Sequence, residues 1–515
     1  HGTAAVVDSS EFTWTDTGWS GVDLKGATIY ELHIGTFTPG RTFDAAIERL
    51  DHLVDLGIDI VEIMPVASFP GEHGWGYDGV APFSVHEPYG GPDGLARFVD
   101  ACHARGLAVC LDVVYNHLGP DGNYLLSYAP YFTEDHHTPW GAAVNLDGVD
   151  SDHVRAYLID NVLLWLRDYH IDALRLDAVH ELHDDRALHI LEEFAIVVDD
   201  LAEETGRKIH LIAESDRNDP ATVTSRELGG LGLAGQWADD VHHGLHVALT
   251  GENQGYYGDF AAPHALEAVL TSPFFHAGTY STFRGRVHGR PVDATRVDGS
   301  AFVASLQTHD QVGNRRSGDR LAEILSFRRL AVGAALLLTS PYTPMLFMGE
   351  EWAASTPWQY FTDHTDPDLA QAIREGRRRE FATHGWDEES VPDPQALSTV
   401  EASTLRWDEV GTGEHERMLG WYRALLALRR SRPDLRDGNL AAVRVEPGPV
   451  DGALILVRGE HRVVVNLSTE TVELEVGAPS SHRVVLLALD ATTSLRDGRI
   501  TLAPDSVAII GPASE

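Results

Sequence analysis

Short apolar runs alternate with helical stripes along much of the chain. Runs such as ATIYELHIG (27–35) and IDIVEIMPV (58–66) are rich in Val, Ile and Leu and are bounded by polar residues, as buried strands of a parallel sheet are. Between them, apolar residues recur at helical spacing, for example from Phe43 to Val54. This alternation predicts repeated right-handed βαβ units.

The number of such runs favours a closed barrel. Six further strands are predicted at LAVCLDVVYN (107–116), IDALRLD (171–177), IHLIAE (209–214), 233–237, AFVASLQ (301–307) and PMLFM (344–348). Other helices are predicted at 93–105, around 158–165, at 185–204 and at 320–338. Eight strands favour a (β/α)8 TIM barrel over an open, doubly wound sheet.

Three segments depart from the alternation. The first 25 residues lack a sustained period and are interpreted as a linker. Gly, Pro, Asn, His and aromatic residues crowd the stretch at about 118–151, which predicts a loop insertion after the third strand of a barrel that occupies 26–430. Alternating or β-branched runs separated by turn signals predict a C-terminal antiparallel β domain, a β-sandwich, at 440–515.

The composition excludes several classes of partner. A formal net charge of −39 disfavours nucleic acid and anionic membrane surfaces, and there is no apolar run long enough to span a bilayer. Cys102 and Cys110 both lie in apolar patterns, which indicates reduced, buried thiols. Together with the lack of a signal-peptide pattern at His1, they predict a cytoplasmic protein. The sequence leaves the oligomeric state open.

Three acidic residues follow three of the predicted strands. Asp177, Glu214 and Asp310 each stand where a buried strand runs out into a loop, and such positions converge on one pocket of a barrel. A single acid there is more often a helix cap, but three together favour catalysis. Two carboxyls are what cleavage of a sugar acetal requires, one as proton donor and one at the anomeric carbon. Arg175, on the same side of its strand as Asp177, is expected to hold that carboxylate ionised and to pair with Asp112.

Four segments resemble a known family in order and placement. DVVYNH (112–117), DALRLDAVH (172–180), IAES (212–215) and QTHDQ (307–311) resemble the signature segments of the α-amylase family of glycoside hydrolases. The resemblance implies Asp177 as nucleophile, Glu214 as general acid/base and Asp310 as a third carboxylate that binds sugar hydroxyls. It also implies a substrate-binding set, in which His180 faces the leaving side: Tyr77, Asp112, His117, Arg175, His180 and His309.

Further segments narrow the resemblance within that family. HDQVGNR (309–315), MLFMGEEWA (345–353) and EGRRREF (375–381) resemble a subgroup that hydrolyses the α-1,4 bond beside the terminal trehalose unit of a maltooligosaccharide. This implies a retaining hydrolase with a neutral maltooligosaccharide-type substrate and no cofactor. The 27 His residues lack the close spacings of a transition-metal site, so no metal is predicted.

Alternatives remain open at this point. The chain could be another α-glucan enzyme on the same barrel, of the branching, debranching or amylase type, or an inactive sugar-binding relative, which would be expected to lack one of the three carboxylates. Trp75 and Trp140 could stack on sugar faces or simply pack. Residues after the eighth strand could recognise the trehalose end or be solvated: Glu350, Glu351, Trp352, Gln359, Tyr360 and Asp363.

Overall fold

Eight parallel strands close into a barrel at the centre of the protein. The structure, a computed structural model, describes residues 6–382, 391–477 and 483–513. Neighbouring strands in the chain pair with each other, and the first also pairs with the eighth. The predicted (β/α)8 barrel is therefore confirmed, including its short sixth strand. The barrel strands are Ile29–Leu32, Ile60–Ile63, Ala108–Val113, Ala173–Leu176, His210–Ala213, Gly235–Trp237, Phe302–Ser305 and Thr343–Phe347.

The barrel interior changes from apolar to charged along its axis. Residues two apart on a strand point to the same side. The amino-terminal half is filled by a buried apolar cluster that includes Ile29 and Ile60. Two residues further along the same strands stand Glu31 and Glu62, each 1% exposed. Because buried charges are costly unless they are paired, this charged layer at the carboxyl ends marks the functional end of the barrel.

Helices surround the barrel and connect its strands. None of the described helices is long and apolar enough to cross a membrane. The longer ones are Leu50–Leu56, Gly91–His103, Ser151–Leu163, Ile190–Thr205, Asp239–Thr250, Ala265–Thr271, Phe327–Thr339, Pro367–Ala382, Leu397–Ser403 and Gly413–Ser431. Short helices lie at Ile34–Phe37, Phe43–Ile47, His309–Gly313, Leu321–Ile324 and Pro433–Arg436.

Three predicted helices differ from the structure. The stripe from Phe43 is broken into two helices, so Val54, expected on the buried face, is 39% exposed. The helix predicted at 320–338 restarts at Phe327, where the Ser326 hydroxyl accepts the N–H of Arg329. The helix predicted at 185–204 begins only at Ile190, because Asp184 pairs with the buried Arg155 and holds the preceding segment as a loop.

The insertion after the third strand contains a β-hairpin that the sequence did not predict. Phe132–Thr138 pairs with Gly141–Val144, with a register shift, and the next helix begins at Ser151. Trp140 lies in the hairpin turn and stacks on His117 with ring centroids 4.3 Å apart. The insertion therefore reaches back to the carboxyl ends of the barrel strands.

Two antiparallel sheets form the C-terminal part of the chain. A five-stranded sheet contains Val443–Pro447, Ala453–Arg458, His461–Asn466, Arg483–Ala488 and Ser506–Pro512, and a three-stranded sheet contains Val472–Glu475, Leu495–Arg496 and Arg499–Leu502. Ile455 joins a core shared by both sheets, whereas its neighbours Leu454 and Leu456 pack into the main core of the barrel. The predicted antiparallel region is confirmed. We propose the division between the two units at 430–440, after the helix whose Tyr422 still bonds Glu350 of the barrel.

The leading segment packs across the amino end of the barrel. Leu24, 5% exposed, joins the apolar cluster inside the barrel. The Trp19 indole donates to Asp172 at 2.8 Å and stacks on His103, which also bonds Asp172 at 2.9 Å. Residues 1–5 of the predicted linker lie outside the described residues. The part that is described therefore closes the barrel at the end opposite the charged layer.

Candidate active site

The three predicted carboxylates line one cavity at the carboxyl ends of the barrel strands. Asp177 directly follows the fourth strand, Glu214 directly follows the fifth, and Asp310 is the second residue of the short helix after the seventh. The cavity has a volume of about 700 Å³, large enough for several sugar rings. The other predicted residues on its walls are Tyr77, His117, His180 and His309.

One buried guanidinium contacts three of the acids. Arg175 is completely buried and donates to Asp177 at 2.7 Å and to Asp112 at 2.9 Å. Its other terminal nitrogen lies 3.8 Å from Glu214. The expected Arg175–Asp112 pair is thus present. Both residues are buried and lie beneath the side chains that line the cavity.

Glu214 is set up to carry a proton. Burial raises its pKa to about 8, the nearby Asp177, Asp239 and Asp310 raise it as well, and Arg175 opposes them. One of its oxygens accepts the Ala178 N–H at 2.6 Å, which fixes the direction of the carboxyl. A neutral carboxylic acid at pH 7 is what protonation of a departing oxygen requires.

Asp177 is surrounded by hydrogen-bond donors. In addition to Arg175, the Asn116 side-chain amide donates to it at 2.7 Å. Asn116 is itself held by His117, whose Nδ1 lies 2.5 Å from the amide oxygen. Because Arg175 and Asn116 donate to the Asp177 carboxylate, they hold it in one orientation at the cavity wall, as the role of a nucleophile would require.

His309 is connected to the charged layer of the barrel. Its Nδ1 pairs with Glu31, which also accepts the His309 backbone N–H at 3.0 Å. Its Nε2 lies 2.8 Å from the Tyr77 hydroxyl, which donates to Asp112 at 2.5 Å. Glu31 and Asp310 raise the pKa of His309 to about 9 although burial opposes them. His309 therefore offers a charged imidazole to the cavity.

Replacing Glu31 by Gln is expected to make activity depend on the protonation of His309. Without the carboxylate, burial would bring the pKa of His309 down from about 9, so the imidazole would be neutral at pH 7.5. We expect kcat/KM to fall about tenfold or more at pH 7.5 and to recover toward pH 5.5. The measurement is the pH profile of kcat/KM. Glu350→Gln, which changes another buried strand-end Glu, is the control; equal losses at every pH would contradict this role of Glu31.

Some of the aromatic residues and residues after the eighth strand line the cavity, whereas others are buried in the protein core. Trp75, Trp140 and Tyr360 line the cavity. Glu350, Glu351 and Trp352 do not: they are at most 5% exposed. Glu351 accepts from Tyr30 and His52, and Glu350 from Tyr422. The idea that these three recognise the sugar is therefore wrong, as is the alternative that they are solvated.

Several residues of the site were missed by the sequence analysis. Glu31 could have been noticed as an acid within a buried strand. Asp239, which follows the sixth strand, has a pKa raised to about 7 by burial and by Asp240 and Asp310. Ala372, Ile373, Gly376 and Arg377 line the cavity from the helix after the eighth strand. Gly376 and Arg377 belong to the EGRRREF segment that resembles the subgroup, but the sequence analysis assigned none of these four residues to the site, because a helix face acquires a role only through its placement.

Among the residues that the structure describes, one group of potential metal ligands joins the insertion to the segment after the fourth strand. His136, Asp147 and Asp185 have ligand atoms within 4.8 Å of one another. However, His136 pairs with Asp147 at 3.3 Å, and Asp147 accepts the Asp185 N–H at 3.0 Å. The Asn116 side chain, near the cavity, is likewise engaged by Asp177 and His117. These side chains are therefore already engaged in hydrogen bonds and ion pairs within the protein, and we assign no metal to them.

Comparisons with known proteins agree with this geometry. The alpha amylase catalytic domain matches residues 35–134, and a domain of unknown function, DUF3459, matches 438–509. A malto-oligosyltrehalose trehalohydrolase from Rhizobium sp. (strain M-11) is 51% identical over 510 residues, which are 99% of this chain and 85% of the relative. One from Saccharolobus solfataricus is 44% identical over 84% of this chain and 73% of the relative.

A solved structure shares the whole fold. A protein from Salmonella typhimurium, provisionally assigned as an alpha amylase, superposes with a TM-score of 0.88 and 39% identity over 98% of this chain and 85% of its own. The barrel, the acids at its strand ends and the identity along nearly the full length all point the same way. The chain belongs to the malto-oligosyltrehalose trehalohydrolase family, within the α-amylase family of glycoside hydrolases.

Proposed function

We propose that this glycoside hydrolase cleaves the α-1,4-glucosidic bond next to the terminal trehalose unit of maltooligosyl trehalose and releases trehalose. The observation that carries the proposal is the pair Asp177 and Glu214, which face one buried guanidinium at 2.7 and 3.8 Å in a cavity of sugar size. Relatives that are 44–53% identical bear the name of this activity. The three carboxylates are all present, which disfavours an inactive sugar-binding relative.

The chemistry proceeds by two displacements at the anomeric carbon. Asp177 attacks that carbon while Glu214 gives its proton to the glycosidic oxygen, so the C–O bond breaks and trehalose leaves with a new hydroxyl. Glu214, now ionised, takes a proton from a water molecule as the water oxygen bonds to the anomeric carbon. The bond from that carbon to Asp177 breaks at the same time. Two inversions return the α configuration, and Asp177 and Glu214 regain their starting charges.

The remaining residues hold the sugar during these steps. Asp310 accepts hydrogen bonds from ring hydroxyls, and the rings of Tyr77 and His309, whose own donors are engaged by Asp112, Glu31 and each other, form the cavity wall beneath that sugar. Hydrogen bonds that tighten as the ring flattens lower the barrier, because only interactions stronger in the transition state accelerate the reaction. His180 and Asp239 lie on the Glu214 side, where the leaving trehalose is bound. A neutral substrate is favoured because the cavity wall is rich in carboxyls.

Product analysis tests the proposal. Incubation with maltotriosyl trehalose is expected to yield trehalose and maltotriose, the latter initially as the α anomer by NMR. Transfer of a glucan chain or cleavage of an α-1,6 branch would instead support a branching or debranching enzyme. Release of the β anomer would overturn the retaining mechanism.

We also propose a cytoplasmic location. Cys102 and Cys110 are both buried free thiols, and burial raises the pKa of each. Inert, reduced thiols fit a reducing compartment.

A further inference from the structure

A helix that follows the eighth strand forms one wall of the cavity. Helix Pro367–Ala382 starts at a capped end, where the Asp366 carboxylate accepts the N–H groups of Asp368 and Leu369 at 2.9 and 3.2 Å. Just before it, Thr365 donates to Asp121 of the insertion at 2.8 and 2.9 Å. The helix is thus fixed in place between the barrel and the insertion.

One face of this helix turns toward the cavity. Ile373 and Arg377 are four residues apart and share that face. Arg377 donates to the Gly313 carbonyl at 2.6 Å, beside the turn that carries Asp310, and its guanidinium lies 5.3 Å from the centre of the Tyr360 ring. Tyr360 in turn meets Trp75 edge-on, with ring centroids 5.2 Å apart. The helix face and the Tyr360 ring therefore form one continuous surface.

Gly376 lies in the middle of this surface without a packing reason. Glycine in a helix interior destabilises the helix relative to alanine, and is usually retained where a side chain would collide. A Cβ built at Gly376 meets no atom of the described part of the chain within 4 Å. Gly376 nevertheless lines the cavity. Among the described residues, none occupies the space in front of Gly376, which leaves that space to a ligand.

The position of Glu214 indicates how the substrate is oriented in the cavity. Glu214 follows the fifth strand and protonates the oxygen of the leaving group, so the leaving sugar lies on its side. The second and eighth strands flank the first strand in the barrel order, on the far side from the fifth. The part of the substrate that stays with Asp177 must extend toward that far side, where Trp75, Tyr360 and the helix stand.

We propose that the surface formed by Tyr360, Ile373, Gly376 and Arg377 binds the glucose units on the non-reducing side of the ring being cleaved, and so sets the chain-length preference. This rests on the proposed function for the direction of the substrate. The Tyr360 ring offers an apolar face to one side of a sugar. Gly376 leaves room for the next ring, and the Arg377 side chain, held by the Gly313 carbonyl, borders that space.

Gly376→Leu tests this surface, because leucine favours the helix and fills the open space. We expect the ratio of kcat/KM for maltotriosyl trehalose to that for glucosyl trehalose to fall about tenfold or more, mainly through KM. Glucosyl trehalose has no sugar beyond the cleaved ring on this side. Gly420→Leu is the matched control, since Gly420 is also a helix-interior glycine at which an added Cβ would meet no described atom within 4 Å. It should leave the ratio unchanged.

A binding measurement separates this inference from the proposed function. Calorimetry with maltotetraose on Glu214→Gln protein, with and without Gly376→Leu, needs no turnover and should show weaker binding in the double variant. An unchanged ratio together with unchanged maltotetraose binding would overturn the inference while trehalose release by the wild type still stands. Failure of the wild type to release trehalose would instead overturn the function, and the calorimetric comparison would still decide whether this surface binds glucan.

Discussion

Asp177→Ala is expected to lower kcat for maltooligosyl trehalose by about 10⁴-fold or more, because no other group can form the covalent bond to the sugar. The protein should still fold, since Arg175 keeps its bonds to Asp112 and is not left as an unpaired buried charge. The measurement is turnover of purified variant, with thermal unfolding recorded beside it.

A matched control makes the Asp177 result specific. Asp135→Ala removes an exposed acid of the insertion and should leave turnover and unfolding temperature near wild type. If Asp177→Ala retained near-normal turnover, the nucleophile would have to be another carboxylate. If the variant failed to fold, the less disruptive Asp177→Asn would carry the same test.

Glu214→Gln is expected to lower kcat/KM by about 10²–10⁴-fold on maltooligosyl trehalose, whose leaving hydroxyl needs a proton. The loss in the first step should be much smaller with α-maltosyl fluoride, because fluoride leaves without one. Burst experiments that follow fluoride release measure this step. Equal losses on both substrates would mean that Glu214 acts in some way other than as an acid.

The wild-type pH profile belongs to the same prediction. The pKa of Glu214 is raised to about 8, so its proton is present at pH 7 and is lost as the pH rises through 8. We therefore expect kcat/KM to fall about tenfold per unit above that value, and this limb should be absent in Glu214→Gln. A wild-type profile that stays flat to pH 10 would contradict the assignment.

The fold was predictable because each barrel strand is buried on both faces. Runs such as the one ending at Asp177 are mostly apolar, with Arg175 as an internal exception, and Gly or polar residues mark both ends. The insertion hairpin was not predictable in this way: Phe132–Thr138 has half-exposed positions and a register shift, so it lacks strict alternation. The helix break before Phe327 was decided by the Ser326 cap, a local signal that the longer apolar stripe concealed.

Some residues of the candidate site were also predictable from the sequence, and others were not. The acids at strand ends were predictable because strand periodicity and barrel topology bring Asp177, Glu214 and Asp310 together without detailed packing. Glu31 and Gly376 were not, since their roles depend on contacts between segments far apart in the chain. The His309–Glu31 pair joins residues 278 positions apart, and no local pattern reports such a contact.

The change from an apolar to a charged interior along the barrel axis separates stability from activity, two requirements that often conflict in a protein. The lower half, with Leu24, Ile29 and Ile60, contributes apolar packing, while the upper half buries Glu31, Glu62 and Arg175, which stabilise the fold less and lie at the candidate site. Improvements in heat resistance are therefore best sought below the charged layer. There a better-filled interior leaves the reacting groups undisturbed.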